Sequence, residues 1–180
     1  MYREEIAEAK DVDLILDFKL DIIFSSSEAA SMERADMEKT VNYCEEEIRE
    51  NIDKYRILYE DETIVAAYFV DDYSDGKIID LIYVMPDKRR LGIGDYILSN
   101  IINNNYQPLY AWIYNENEIA NHLFKSKNFI IEEENEYKSL LKNVNEKEEN
   151  KCIKIKMFER EVEELSKKYG VEYKLECKNK

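Results

Sequence analysis

Two of the chain's four glycines stand one residue apart, at Gly92 and Gly94, inside the stretch PDKRRLGIGDYIL from Pro86 to Leu98. In a 180-residue chain so poor in glycine, that pair fixes a local geometry. Before it runs KIIDLIYV (77–84), a near-continuous apolar segment of strand length, as expected for a strand buried on both faces. Pro86 ends it. After the pair, Leu91, Ile97, Leu98, Ile101 and Ile102 recur at helical spacing and predict a helix over about 92–103. A strand, a turn, close glycines and a helix start together describe an anion site. The first N–H groups of a helix lack intrahelical partners, and the dipole there is positive. Glycine has no Cβ to keep an anion from the main chain. Arg89 and Arg90 add charge-assisted donors beside it.

The other phosphate motifs fail on single residues. A Rossmann loop needs a third glycine where Ile97 stands. A Walker loop needs Lys and Ser or Thr where Asp95 and Tyr96 stand. What fits is R-x-x-G-x-G, carried by Arg89, Gly92 and Gly94.

The surrounding pattern is mixed. Val12, Leu14, Ile15, Phe18, Ile22 and Ile23 form one helical stripe over 11–24, and Met37, Val41, Cys44, Ile48 and Ile52 a second over about 33–53. YRILYE (55–60) and TIVAAYFV (63–70) read as a strand hairpin, with DDYSDG (71–76) as the next turn. LYAWIY (109–114) is a further strand, about 117–127 a helix, and 129–134 with 137–142 a last hairpin. The polar run 143–150 reads as a linker, and 151–180 as a strand-helix-strand appendage that could extend a sheet across two subunits, a route to a homodimer.

Bulk composition excludes several classes. With 44% hydrophobic residues the chain can fill a core, and no apolar run approaches the ~20 residues that span a bilayer. The charged start MYREEIAEAK lacks a signal peptide's apolar segment, so a cytoplasmic protein without membrane contact is expected. Three dispersed cysteines and one histidine favour free thiols over a disulfide framework or a multi-histidine metal site. The net charge of −14 argues against nucleic acid, and it suits solubility or the steering of a cationic substrate.

Taken with its context, the R-x-x-G-x-G stretch resembles the GNAT superfamily of acetyl-CoA-dependent N-acetyltransferases. In that family the loop follows a central strand ending in V-x-P, as IYVMP (82–86) does. A later helix carries N-x-x-A-x-x-(aromatic pair)-x-x-x-G-F, matched here by Asn117, Ala120, Leu123, Phe124, Asn128 and Phe129. The resemblance covers about residues 1–142. It implies an α/β (α+β) fold with a mixed, mostly antiparallel central sheet flanked by helices.

It also implies a set of roles. Arg89, Arg90, Leu91, Gly92, Ile93 and Gly94 would bind the pyrophosphate of coenzyme A. The main chain of Ile82, Tyr83 and Val84 would hold the pantetheine arm, in a sheet opened between this strand and LYAWIY. The Val84 N–H would stabilise the oxyanion. Asn117 and Phe124 would border the cofactor, although Asn117 equally suits helix capping and Phe124 equally suits core packing. The acceptor would be a small-molecule amine or a peptide, with a small cationic amine favoured by the acidic balance and by Glu45, Glu46 and Glu47.

An alkylammonium with a pKa of ~10.4 must lose a proton before it attacks a thioester, at a cost of about 4 kcal/mol near neutrality. Asp80 is the only residue of IIDLIYV that carries a charge near neutral pH, and a charge in a buried apolar strand is costly unless partnered. It is either the base or a structural carboxylate with a backbone or Arg partner. Phe124 stands where many relatives place a proton-donating tyrosine, so Tyr114 is the alternative donor to the leaving thiolate. Otherwise the thiolate departs unassisted, or the chain is a non-catalytic acyl-CoA-binding module. Trp112 is expected in the core, His122 on an exposed helix face, and Cys44 in packing.

Overall fold

A computed structural model describes residues 2–143; the expected appendage, and all of the expected linker beyond Asn143, lie outside the described residues. Seven strands form one sheet in the order β1-β2-β3-β4-β5-β7-β6. They are β1 (Tyr2–Ile6), β2 (Arg56–Glu60), β3 (Thr63–Tyr73), β4 (Gly76–Val84), β5 (Leu109–Tyr114), β6 (Ile130–Glu134) and β7 (Lys138–Asn143). Every neighbouring pair is antiparallel except β4 with β5. The helices are α1 (Val12–Phe24), α2 (Ser27–Ala30), α3 (Arg34–Asn51), α4 (Ile93–Asn104) and α5 (Glu118–Ser126).

The sheet separates two cores. On one face α1 and α3 bury Val12, Ile15, Phe18 and Ile48 against Ile57, Ala67, Phe69, Leu81 and Tyr83. On the other, α4 and α5 bury Ile93, Ile97, Leu98, Ile101 and Phe124 against Val65, Ile79, Leu109, Ala111 and Leu141. The stripes read from the sequence are these buried faces, because one side of each helix must leave water.

Besides the short α2, which was not expected, two strands and one side chain differ from expectation. β1 has no buried alternation: it is an exposed edge strand, so nothing in YREEI marked it. β3 runs on through Asp71 and Asp72, where a turn was expected. Their carboxylates are taken by Lys54 at 2.9 Å and Lys77 at 2.7 Å, which lets a polar strand end persist. Trp112 is 36% exposed rather than core, since it points to the face that α4 and α5 do not cover.

The register also holds a feature invisible in the sequence. Phe69 pairs with Leu81 and Val70 with Ile79, so Asp80 is the extra residue of a β-bulge in β4. A bulge bends its strand and re-aims a side chain. Beyond it the sheet opens: β4 and β5 pair only at Lys77–Leu109 and Ile78–Tyr110.

Candidate active site

The opening exposes main chain. The Met85 amide donates to the Val65 carbonyl at 2.9 Å, which fixes the phase of the β3–β4 ladder. By antiparallel alternation, Ala67 and Tyr83 then form a bonded pair. Ile82 and Val84 turn their N–H and C=O away from β3, toward the gap. Their side chains pack on the α4 face. Tyr83 therefore lends the gap no main-chain group; its ring stacks on Phe18 at 4.4 Å and its hydroxyl donates to Asp21 at 2.9 Å.

The gap leads to the start of α4. Arg90 and Gly92 both have left-handed backbone, at φ 64° and 81°. Two such residues within three positions turn the chain sharply into the helix. Gly92 is its N-cap and offers no side chain, so the first amides of α4 stay bare until Tyr96 N–H reaches the Gly92 carbonyl at 2.9 Å. A Cβ at Gly92 would meet nothing within 4 Å, so space lies open there. Gly94 has another use: a Cβ would come within 3.3 Å of Leu123 Cδ2, so it allows α5 to pack close.

The two arginines part company. Arg89 folds back, its Nε donating to the Val84 carbonyl at 3.0 Å and its guanidinium 3.6 Å from Asp21. Arg90 is exposed and has no ion pair among the described residues, so it is the cation left beside the bare amides. Asp95 pairs with Lys127 at 2.7 Å, which turns its charge away from them. Leu91 is exposed, and Ile93 is buried in the core and brings only its main chain. Bare amides, open space and one free cation fit the pyrophosphate of a nucleotide-type cofactor.

Asp80 sits on the α1 side of the sheet. Lys19 Nζ, on α1, bridges its carboxylate at 2.8 Å and that of Glu47 at 2.7 Å. The Tyr55 hydroxyl donates to Glu47 at 3.1 Å. Burial acts to lower the Lys19 pKa, but Asp80 and Glu47 more than offset it, so the net shift is upward and Lys19 stays charged. The Lys19 side chain is 14% exposed and that of Asp80 40%, so the cluster opens to solvent at Asp80. The partner of Asp80 is a lysine from a helix 61 residues away, not a backbone group or arginine. Lys19, Glu47 and Tyr55 were not expected as a group. The available signal was a lysine directly after Phe18 at the border of an apolar stripe.

Tyr114 closes the splayed end of β5, where the Lys138 ammonium lies 4.5 Å over its ring and pairs with Glu28 at 2.9 Å. Phe124 is buried edge-on against Phe129 at 4.9 Å and has no polar atom to offer. Asn128 is left-handed, and Phe129 N–H reaches the Phe124 carbonyl at 3.2 Å, a Schellman ending in which asparagine replaces glycine. Cys44 is buried in packing, and burial pushes its thiol pKa up. His122 is exposed.

Asn117 caps α5: its Oδ1 accepts from the Ala120 N–H at 3.0 Å. Replacing it with alanine is expected to cost about 1 kcal/mol in chemical denaturation. An unchanged midpoint would show that the cap is not used.

Solved structures share this architecture. The chain is similar to the PaiA N-acetyltransferase of Thermoplasma acidophilum in complex with coenzyme A, at TM-score 0.63 and 10% identity over 79% of this chain and 98% of that one. It is similar to an N-acetyltransferase of Staphylococcus aureus Mu50, at TM-score 0.62 and 12% identity over 78% and 100%. A GNAT-family acetyltransferase of Bacillus cereus matches at TM-score 0.55 and 22% identity over 79% and 96%. No protein-family model matches the sequence, and no curated protein matches it. The chain has the fold of the GNAT acetyltransferases, over the residues 2–143 that form its sheet. Among the described residues no helix is long and apolar enough to cross a membrane.

Proposed function

We propose that this protein is an N-acetyltransferase that moves an acetyl group from acetyl-CoA to a primary amine by direct attack. The observation that carries the reading is the gap between β4 and β5. It begins at the Asp80 bulge, bares the main chain of Ile82 and the N–H of Val84, whose carbonyl is taken by Arg89, and ends at the uncapped start of α4. The α4 amides and Arg90 would hold the pyrophosphate, with Gly92 leaving room for it. Ile82 and Val84 would hold the pantetheine arm, as a strand edge holds a peptide. The cofactor supplies an activated acyl group there.

The chain's own residues do the rest. The Val84 N–H points into the gap and donates to the carbonyl oxygen as negative charge develops on it. Asp80, open to solvent on one side and fixed by Lys19 on the other, takes the amine's proton directly or through water. Tyr114 is the hydroxyl we assign to the departing thiolate. The acceptor is a small cationic amine, because the groove's open carboxylate and the −14 net charge both draw cations.

A thermal-shift titration with acetyl-CoA tests the first half. Ligand at ~100 times its Kd should stabilise the fold by about 2.7 kcal/mol. Arg90→Glu reverses the free charge without touching the core, and it is expected to weaken binding at least ~tenfold, a loss of about 1.4 kcal/mol. No shift at millimolar ligand in a folded sample would remove the cofactor. Binding without thiol release on any amine would favour a non-catalytic acyl-CoA-binding module, the reading that the absence of a hydroxyl at Phe124 supports.

A further inference from the structure

Trp112 has a place on β5, beside the opening of the sheet, that neither the fold nor the reaction explains. On the face of β5 turned away from α4 and α5, the rings follow one another as Tyr110, Trp112 and Tyr114. Across from them on β7 stand Lys142, Leu140 and Lys138. The two tyrosines each carry a lysine on the ring, Lys142 at 5.0 Å and Lys138 at 4.5 Å. Trp112, the strongest cation-binding ring of the three, faces Leu140 and has no chain cation over it among the described residues. It is nevertheless 36% exposed.

Its position matters as much as its vacancy. Asp80 and Trp112 each lie two residues beyond the last pair of their strands, Ile78 with Tyr110, where the sheet opens. Both lie on the α1 side, since Asp80 meets Lys19 there and Ala111 is committed to the opposite core. Behind Asp80, one cation serves two carboxylates, so the Lys19–Glu47–Asp80 cluster carries a net negative charge whose open side is Asp80. A carboxylate and a bare indole thus stand on the same side of the sheet, on the two strands that part beyond Ile78 and Tyr110.

A nitrogen that attacks a thioester must be neutral, whereas an indole face in a negative field selects a charged one. A single nitrogen cannot be both. From this we infer that the acceptor carries a second, non-reacting cation, which rests on Trp112 while its primary amine is deprotonated on the Asp80 side. The inference rests on the transferase reading, and it makes Trp112 the residue that sets acceptor specificity.

Trp112 is the chain's one tryptophan, so its emission reports the site directly. The probes are 1,4-diaminobutane and butylamine, titrated into the full chain with coenzyme A present. The diamine is expected to change the emission saturably at concentrations where butylamine does not, and to be acetylated with at least ~tenfold higher kcat/KM. Trp112→Leu should raise the KM for the diamine about tenfold while kcat stays within about twofold. Trp112→Tyr, which keeps a π-face, should retain most of the affinity and guards against a folding defect. Equal use of the two amines, or diamine binding seen by calorimetry without an emission change, would overturn the inference and leave the transferase standing. Failure of every amine to release thiol from bound acetyl-CoA sinks the transferase reading instead, and the emission titration then decides the cation site by itself.

Discussion

Gly76→Ala is expected to lower the thermal unfolding midpoint by about 10 °C, corresponding to about 3 kcal/mol in a domain of this size. Gly76 starts β4, and an added Cβ would stand 2.0 Å from the Pro108 carbonyl oxygen and 2.9 Å from its carbon. These are backbone atoms, and they cannot rotate aside. The Pro108 carbonyl is also the acceptor for the Lys77 amide at 2.9 Å, so relief by backbone movement breaks that bond. The contact lies where β4 and β5 are still joined, one residue before their two paired positions. Loss of that junction would release the strand pair that frames the groove, so acetyl-CoA binding should weaken along with stability. Gly92→Ala is the control with a different cause: nothing crowds its Cβ, and only the left-handed backbone opposes it, at about 1 kcal/mol. Equal midpoints for the two variants would refute the steric account of Gly76.

Elements that bury one face were legible in the sequence. The stripes of α1, α3 and α4 and the run of β4 announce apolar surfaces, and burial is what periodicity records. β1 was silent because it buries no face. At the site, Gly92 was legible as a sharp turn into a bare helix start, since left-handed backbone leaves a residue-type signature, whereas Gly94 serves the close packing of α5. The individual side chains were not. Arg89 and Arg90 are adjacent and identical, yet one serves the end of β4 and the other has no ion pair among the described residues; Arg89 is extended and Arg90 left-handed, so they leave the chain in different directions. The bulge at Asp80 leaves no local signature, because it is a fact about register with β3. Without it, Asp80 reads as a charge buried in an apolar strand. With it, the carboxylate is turned to the α1 face, half-exposed and held by a lysine 61 residues away. Trp112 was misplaced for a related reason: a strand of six mostly apolar residues does not say which of its faces lacks a helix.

Asp80→Asn is expected to lower kcat/KM for an amine acceptor about 10³-fold while moving the unfolding midpoint little. Asparagine keeps an oxygen for Lys19, and Lys19 keeps Glu47 at 2.7 Å, now as a balanced pair. What disappears is the proton acceptor at the open side of the cluster. Lys19→Met should do the reverse. It leaves Asp80 and Glu47 without the cation they share, and Glu47 is largely buried beneath Tyr55. Stranding charge in that way costs about 3 kcal/mol. Adding Asp80→Asn to Lys19→Met removes one of the two carboxylates, so the double variant should be more stable than Lys19→Met alone, a non-additive result that two independent sites would not give. If Asp80→Asn instead destabilised the fold by as much as Lys19→Met and left the activity of the folded fraction intact, Asp80 would be a structural carboxylate. The proton would then have to leave by another group at the gap between β4 and β5.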